Sequence, residues 1–303
     1  MSITDQYIDT RNRIFQTIGI NPISKQIEID GPIKNVHFLE IGSGEPLILI
    51  HGGLSHSGEW INIMEPLSKK YHLYVIDRPG HGLSDMLDYR GVDYQNSAAK
   101  FIKSFMDALG LRQANLLGCS MGGYFAVSFA LQYPDRVEKL SLMGAPAGMN
   151  RWIPPMLRIL GIPGLNRFIL GKLAKPSLKS AKSIHRQLLV ANINNISEDM
   201  LNLTWMNQSL PGALISHTTM LENVLDLKGW RKKLLLTDQI SNLKMPVHFI
   251  WGEKDAFENP DSGREKAKKI KVHSFEIIAN AGHLPWVDQP EECVESLFKF
   301  LNT

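Results

Sequence analysis

Gly118-Cys119-Ser120-Met121-Gly122 sets one serine between two glycines, at the junction of an apolar run, Ala114-Asn115-Leu116-Leu117, and a helical pattern, Tyr124 to Tyr133. The short apolar run reads as a buried strand, and the 3.6-residue spacing that follows reads as a helix. The chain must turn sharply at Ser120, and glycine on either side removes Cβ atoms that would collide in so tight a turn. A turn of this kind stands its central side chain at the open end of a sheet, where a nucleophile can be reached. The pentapeptide is short enough to arise by chance, so its neighbours have to carry the reading.

Outward from the turn, short apolar runs alternate with longer helical patterns, the signature of a mostly parallel, doubly wound α/β sheet with helices on both faces. Lys25 to Ile29 and Val36 to Ile41 form an opening antiparallel pair around Asp30-Gly31-Pro32. Pro46 to Ile50 is a buried strand ending at His51-Gly52-Gly53, and Leu73 to Ile76 ends at Asp77-Arg78-Pro79-Gly80-His81-Gly82. Helices are expected near Trp60 to Ser68 and Ser97 to Leu109, and a further strand over Lys139 to Met143. The alternation then stops, and helical fragments broken by Pro163, Pro176 and Pro211 follow. The sheet resumes at Val247 to Trp251 and Ser274 to Ile278, and Glu291 to Phe300 closes the chain as a helix introduced by Pro290. The organisation expected is an N-terminal amphipathic helix (1–22), a core (23–146 and 234–303) and an inserted helical cap (147–233).

Composition bounds the class. At 303 residues, 44% hydrophobic and 21% charged, the chain is an ordinary globular protein rather than a disordered one. Its two cysteines, Cys119 and Cys293, lie in no metal or redox spacing, so a reduced compartment fits and a disulfide framework does not. Cys119, the neighbour before the turn, is expected to point into the core as a small buried hydrophobe. Met1 to Ile20 lacks a basic start and a continuous apolar run, so it does not read as a secretory signal, and a cytoplasmic location is expected. Tyr7, Ile8, Arg11, Ile14, Phe15 and Ile18 fall instead at helical spacing, for packing on the domain or on a partner. No run reaches the roughly 18 apolar residues of a spanning helix.

Charge is unevenly spread. Residues 147–233 carry twelve Lys or Arg against four acids, so the cap is +8 and the remainder of this +3 chain is −5. Between Arg151 and Arg186 there is no carboxylate. Trp152, Ile153, Met156, Leu157, Ile159 and Leu160, interleaved with arginines, suggest an apolar or anionic small-molecule acyl substrate; weak contact with an anionic membrane surface is a further option. The plain alternative is that these side chains pack the cap onto the core while its lysines face water. Nucleic acid is not expected as a partner, since no recognition motif accompanies the charge. The oligomeric state is not legible.

A serine hydroxyl needs a base within hydrogen-bonding reach, and the base needs a third group to fix its tautomer. Of ten histidines, His283 is the best placed, because Ala279-Asn280-Ala281-Gly282 carries the chain off the last strand at the end where Ser120 also lies. His248 and His273 sit in or at the edge of strands, and His51 and His81 belong to glycine-bracketed turns as hydrogen-bonding residues. The orienting acid should also leave the C-terminal end of a strand. Trp251-Gly252-Glu253-Lys254-Asp255 supplies two, with Asp255 favoured for its distance from the turn and Glu253 second.

The order Ser120, Asp255, His283, together with His51-Gly52-Gly53, Asp77 to Ser84, Gly118 to Gly123, Trp251 to Asp255 and Gly282-His283, resembles the α/β-hydrolase superfamily over residues 25–303. The resemblance implies that fold, a catalytic triad of these three residues, no metal or organic cofactor, and an oxyanion hole. The N–H of Met121, opening a helix, is the first expected donor, and that of Gly53 the second. Leu54, Met143, Trp152 and Trp286 are expected to line the substrate pocket.

Serine at the elbow, rather than aspartate, leaves acyl chemistry. The Ser-Met-Gly-Gly continuation and cap resemble both carboxylesterases and carbon–carbon bond hydrolases of ring-fission products. Cys119 stands where the latter usually have asparagine, and Leu284 where they usually have tryptophan. The primary expectation is a serine hydrolase cleaving a carboxylic ester through an acyl-enzyme on Ser120. The alternatives are a carbon–carbon bond hydrolase of ring-fission-type diketones, a cofactor-free perhydrolase, or a non-catalytic ligand-binding member of the fold.

Overall fold

A computed structural model describes all of residues 1–303. In chain order the first elements are α1 (Ile3–Ile18), β1 (Ile23–Glu28), β2 (Asn35–Ile41), β3 (Glu45–Ile50), α2 (Ile61–Ser68), β4 (Tyr71–Ile76), α3 (Tyr94–Ala108), β5 (Ala114–Cys119), α4 (Met121–Gln132) and β6 (Val137–Met143). The stretch inserted after β6, expected as the cap and termed so here, holds α5 (Pro155–Arg158), α6 (Leu165–Phe168), α7 (Leu178–Ile184), α8 (Glu198–Ser209) and α9 (Ala213–Val224), followed by a two-residue hairpin pair, β7 (Leu225–Asp226) and β8 (Gly229–Trp230). The core resumes with β9 (Val247–Gly252), α10 (Pro260–Ala267), β10 (His273–Ile278), α11 (Pro285–Asp288) and α12 (Pro290–Leu301).

Eight strands form one sheet in the order β1-β2-β4-β3-β5-β6-β9-β10. The pairs β1–β2 and β2–β4 are antiparallel and the rest are parallel. A parallel strand inside such a sheet is covered on both faces, which is why its sequence reads as a continuous apolar run. The two-residue period then sorts side chains between two cores. Ile48 and Ile50 of β3 join the cluster under α3 and α4, whereas Leu47 and Leu49 join the cluster on the opposite face, beside α2 and α12. On β5, Leu116 goes to the first cluster, and Leu117 and Cys119 to the second. Cys119 is fully buried, as expected of a packing residue, and burial pushes its thiol well above the usual range.

The elbow helix begins three residues earlier than its apolar periodicity suggests, because Gly122 and Gly123 weaken the pattern while serving the packing. A Cβ at Gly122 would lie 1.9 Å from the Ile50 carbonyl oxygen, so the helix can approach β3 so closely only with glycine there. α1 packs against the cap helix α8. Tyr7, Arg11, Ile14 and Phe15 are buried beneath it, and Arg11 donates to Ser24 on β1 at 3.2 Å. No helix is long and apolar enough to cross a membrane.

Candidate active site

Ser120 ends β5 and caps α4 with φ 51° and ψ −115°. A side chain at positive φ is strained, and the surrounding packing holds it there: Gly118 faces Gly122 and Gly123 across a gap that admits no Cβ, at 2.8 Å. Opposite stands His283, in the loop after β10. Its Nδ1 lies 3.0 and 2.9 Å from the two oxygens of Asp255, so Nδ1 carries the proton and Nε2 presents its lone pair. Asp255 is itself fixed, accepting from Ala145 N at 2.9 Å and Phe257 N at 2.8 Å. The loops meet closely: a Cβ at Gly252 would fall 1.9 Å from the Gly282 carbonyl oxygen, and one at Gly144 2.3 Å from that of His283. Glu253 turns away, accepting from Asn280 N.

His283 Nε2 is buried and makes no hydrogen bond within the protein, to Ser120 or to any other residue. Both line one cavity of about 430 Å³ between the sheet edge and the cap. Gly53 and Met121 line it too. The Gly53 N–H makes no hydrogen bond within the protein, and that of Met121 is among those a helix leaves unpaired at its first turn. A Cβ at Gly53 would meet the Met121 sulfur at 2.7 Å, which shows how near the two backbones come.

Of the expected pocket residues, Leu54 (φ 55°) and Trp152 are on the cavity wall. Met143 and Trp286 are not. Met143 is fully buried in the cluster that also holds Cys119 and Trp286, and of the three only Cys119 reaches the cavity wall. The Trp286 ring stacks on Trp60 at 4.4 Å and its Nε1 donates to the Glu59 carbonyl at 2.9 Å, which spends it on joining α11 to the segment after β3. The interleaved arginines are not on the wall either: Arg151 pairs with Asp226 at 3.0 Å and Arg158 donates to the Ile153 carbonyl. Twenty-four of the 39 lining residues are hydrophobic and none is Lys or Arg.

Other wall residues escaped the sequence reading. Glu59 is buried, accepts from Gly52 N at 3.2 Å, and is held above the usual carboxylate range by burial. His56 and His185 are buried and pushed down by burial, His56 to about 4, so both are neutral donors or acceptors. Behind the wall, Arg78 donates to the His51 carbonyl at 2.9 Å and to the Gly52 carbonyl at 2.6 Å. His51 and His81 are the hydrogen-bonding residues expected, the first accepting from Arg78 N at 3.0 Å and the second lying 2.9 Å from the Pro79 carbonyl. The one signal for Glu59 and Arg78 was adjacency to the His51-Gly52-Gly53 and Asp77 turns.

A strand-to-helix turn that forces its serine to positive φ, facing a carboxylate-held histidine at the same edge of a parallel sheet, is the architecture of an α/β hydrolase. The chain belongs to the alpha/beta hydrolase fold family, whose model matches residues 45–290. It is 28% identical over 280 residues, 89% of this chain and 92% of the relative, to a 2-hydroxy-6-oxononadienedioate/2-hydroxy-6-oxononatrienedioate hydrolase of Paraburkholderia phymatum. Among solved structures, carboxylesterase CesB of Bacillus subtilis is similar with TM-score 0.76 and 19% identity, covering 99% of both chains. The 2-hydroxy-6-oxo-6-phenylhexa-2,4-dienoate hydrolase of Rhodococcus sp. strain RHA1 is similar with TM-score 0.78 and 20% identity, covering 93% of this chain and 99% of that one. These structural likenesses speak to the fold.

Proposed function

We propose that this chain is a serine hydrolase that breaks the bond beside a carbonyl in an uncharged, largely apolar substrate, and that this bond is carbon–carbon. The observation that carries the hydrolase reading is the pairing of Ser120, at a turn that holds it at positive φ, with His283 and Asp255 on one apolar cavity. Ser120 Oγ adds to the carbonyl as His283 Nε2 takes its proton, and Asp255 steadies the resulting imidazolium. The N–H groups of Met121 and Gly53 meet the oxyanion. Collapse expels the leaving group, which takes the proton back from His283, and water then releases the acyl group from Ser120.

The carbon–carbon reading is supported by relatives whose printed names are those of dienoate and dienedioate hydrolases, matched over more than four fifths of this chain. A departing carbanion needs delocalisation and a proton, which a vinylogous 1,5-diketone and the His283 imidazolium would supply. Those names describe carboxylates, however, and a buried carboxylate is costly without a cation. With no Lys or Arg on this cavity wall and Glu59 already there, a neutral substrate fits better. The same observation favours a second reading, an ester of an apolar acid, in which an alkoxide leaves in place of the carbanion.

The test is product analysis with a neutral vinylogous 1,5-diketone and with p-nitrophenyl esters of graded acyl length. Carboxylic acid released from the diketone supports the first reading; turnover of esters alone moves the assignment to the second. Ser120→Ala turning over either substrate at the wild-type rate would overturn both.

A further inference from the structure

Twelve large apolar side chains are exposed on the whole molecule, and six of them fall within one stretch of the cap: Trp152, Met156, Ile159, Leu165, Phe168 and Leu173. Single exposed hydrophobes are normal on any surface, but such a concentration marks a place where something docks. Phe168 is 53% and Leu173 70% exposed. The stretch is broken into short helical pieces by Pro163, Gly164 and Pro176, so it is apolar on two sides. Ile153, Leu157, Leu160 and Leu170 wall the active-site cavity, while Met156, Ile159, Phe168 and Leu173, interleaved with them, face water.

The charge of the same stretch selects the occupant. Residues 151–186 hold eight Lys or Arg and no acid. Only Arg151 is paired with a carboxylate; Lys172, Lys175, Lys179, Lys182 and Arg186 are exposed and unpaired. Apolar side chains beside a run of free cations match a negatively charged lipid interface, where the former enter the acyl boundary and the latter meet the headgroups. Trp152 and Ala174 each line the cavity and are exposed, so the cavity opens within this surface.

We propose that the stretch from Arg151 to Arg186 docks the chain on an anionic lipid surface, and that the cavity takes an amphiphilic substrate directly from it. The docking surface stands whichever bond is broken; the uptake of substrate rests on the hydrolase reading above.

The experiment uses the full chain carrying Ser120→Ala, so that binding is read without turnover. It is sedimented with vesicles of phosphatidylcholine alone and of phosphatidylcholine with phosphatidylglycerol at about three to one. Binding should be about tenfold stronger to the anionic vesicles and should weaken as salt is raised. Phe168→Ser with Leu173→Ser, and separately Lys172→Gln with Lys175→Gln and Lys179→Gln, should each weaken it about tenfold. In the otherwise wild-type chain, both sets should leave turnover of a dissolved p-nitrophenyl ester unchanged, since none of these residues lies on the cavity wall. Equal binding to both vesicles, no binding to either, or a concentration-dependent dimer that dissolves in the Phe168/Leu173 variant without vesicle binding would overturn the proposal. Vesicle binding by a chain with no hydrolytic activity would instead overturn the hydrolase reading and leave the docking surface standing.

Discussion

The Arg78 guanidinium donates to the Gly52 carbonyl at 2.6 Å, and that carbonyl belongs to the same peptide group as the Gly53 N–H on the cavity wall. A charged donor on one end of a peptide strengthens the donor at the other, since chained hydrogen bonds polarise one another. Arg78 is fully buried and has no carboxylate partner; its short bonds go to the carbonyls of His51 and Gly52, with His81 Nε2 at 3.4 Å. Glu59 holds the N–H of Gly52 from the other side. The loop is therefore held by two buried ionisable groups, Arg78 at its carbonyls and Glu59 at the Gly52 N–H.

Arg78→Lys should lower kcat by about tenfold with KM within about twofold, less than the hundredfold or more that follows outright loss of an oxyanion donor. A trifluoromethyl ketone, whose adduct carries the oxyanion, should lose affinity by the same factor. Unchanged inhibitor affinity alongside a reduced kcat would mean that Arg78 acts through packing alone.

Acid should loosen the contact between cap and core. The rings of His81 on the β4 turn and His217 on α9 lie 4.7 Å apart, and those of His51 and His81 5.2 Å. Burial first, and Arg78 second, push His217 down to about 4 and His81 well below its usual value. Below pH 6.5 the unfolded chain takes up a proton at His217 that the native chain refuses. Stability should thus fall as pH drops from about 6.5, and the share of that fall due to His217 is complete near 4, where native His217 protonates too. The ceiling for His217 is about 3 kcal/mol. Urea titrations at intervals across that range should show a shallower fall for His217→Gln than for the wild type.

Much of this architecture was legible because parallel strands and the elbow leave local marks. Runs of four to six residues, most of them apolar and most followed within two residues by glycine, place the strands to within two residues of their observed ends, and Ser120, Asp255 and His283 all follow strand ends. Met143 and Trp286 were misjudged for a different reason. Whether a strand-end residue reaches the cavity or is covered depends on what distant parts of the chain pack over it, and which neighbour a tryptophan stacks on depends on two segments distant in sequence. His56 with Glu59, Arg78, and His185 come from three segments that only the fold brings together, so no spacing announced them as one group. The emptiness of the cavity wall of basic residues was hidden likewise, because the cap's composition does not say which side of each fragment faces in.

The N-terminal helix should matter to the site through Tyr7 and little through its surface charges. Tyr7 is fully buried and its ring meets His56, on the cavity wall, edge to face at 5.5 Å. Tyr7→Ala should cost about 3–5 kcal/mol, as for other buried aromatics, and should raise KM by loosening that wall. The Arg13–Asp199 pair between α1 and α8 is largely exposed on the Arg13 side, so Arg13→Ala should cost less than about 1 kcal/mol. Denaturant midpoints of the two variants measured side by side would reverse this order only if α1 were held mainly by charge.

Gly122 and Gly123, which follow the proposed nucleophile, should differ sharply in what they tolerate. At Gly122 an added Cβ would meet the carbonyl oxygens of Ile50 and His51 at 1.9 and 2.5 Å, backbone atoms of the last residue of β3 and the one after it, which cannot move aside as a side chain can. At Gly123 the nearest atoms are the Pro146 Cβ at 3.2 Å and a Leu142 methyl at 3.3 Å, side-chain atoms that can shift by tenths of an ångström. Alanine also has the better helix propensity, by about 1 kcal/mol, and neither glycine needs positive φ. Gly123→Ala should therefore stay within about 1 kcal/mol of the wild type and keep its activity. Gly122→Ala should push α4 off β3, carrying the Met121 N–H away from the proposed oxyanion position, and lose both stability and turnover. Equal thermal midpoints for the two variants would show that α4 can slide on the sheet, and that the elbow's geometry does not depend on the closeness of β3.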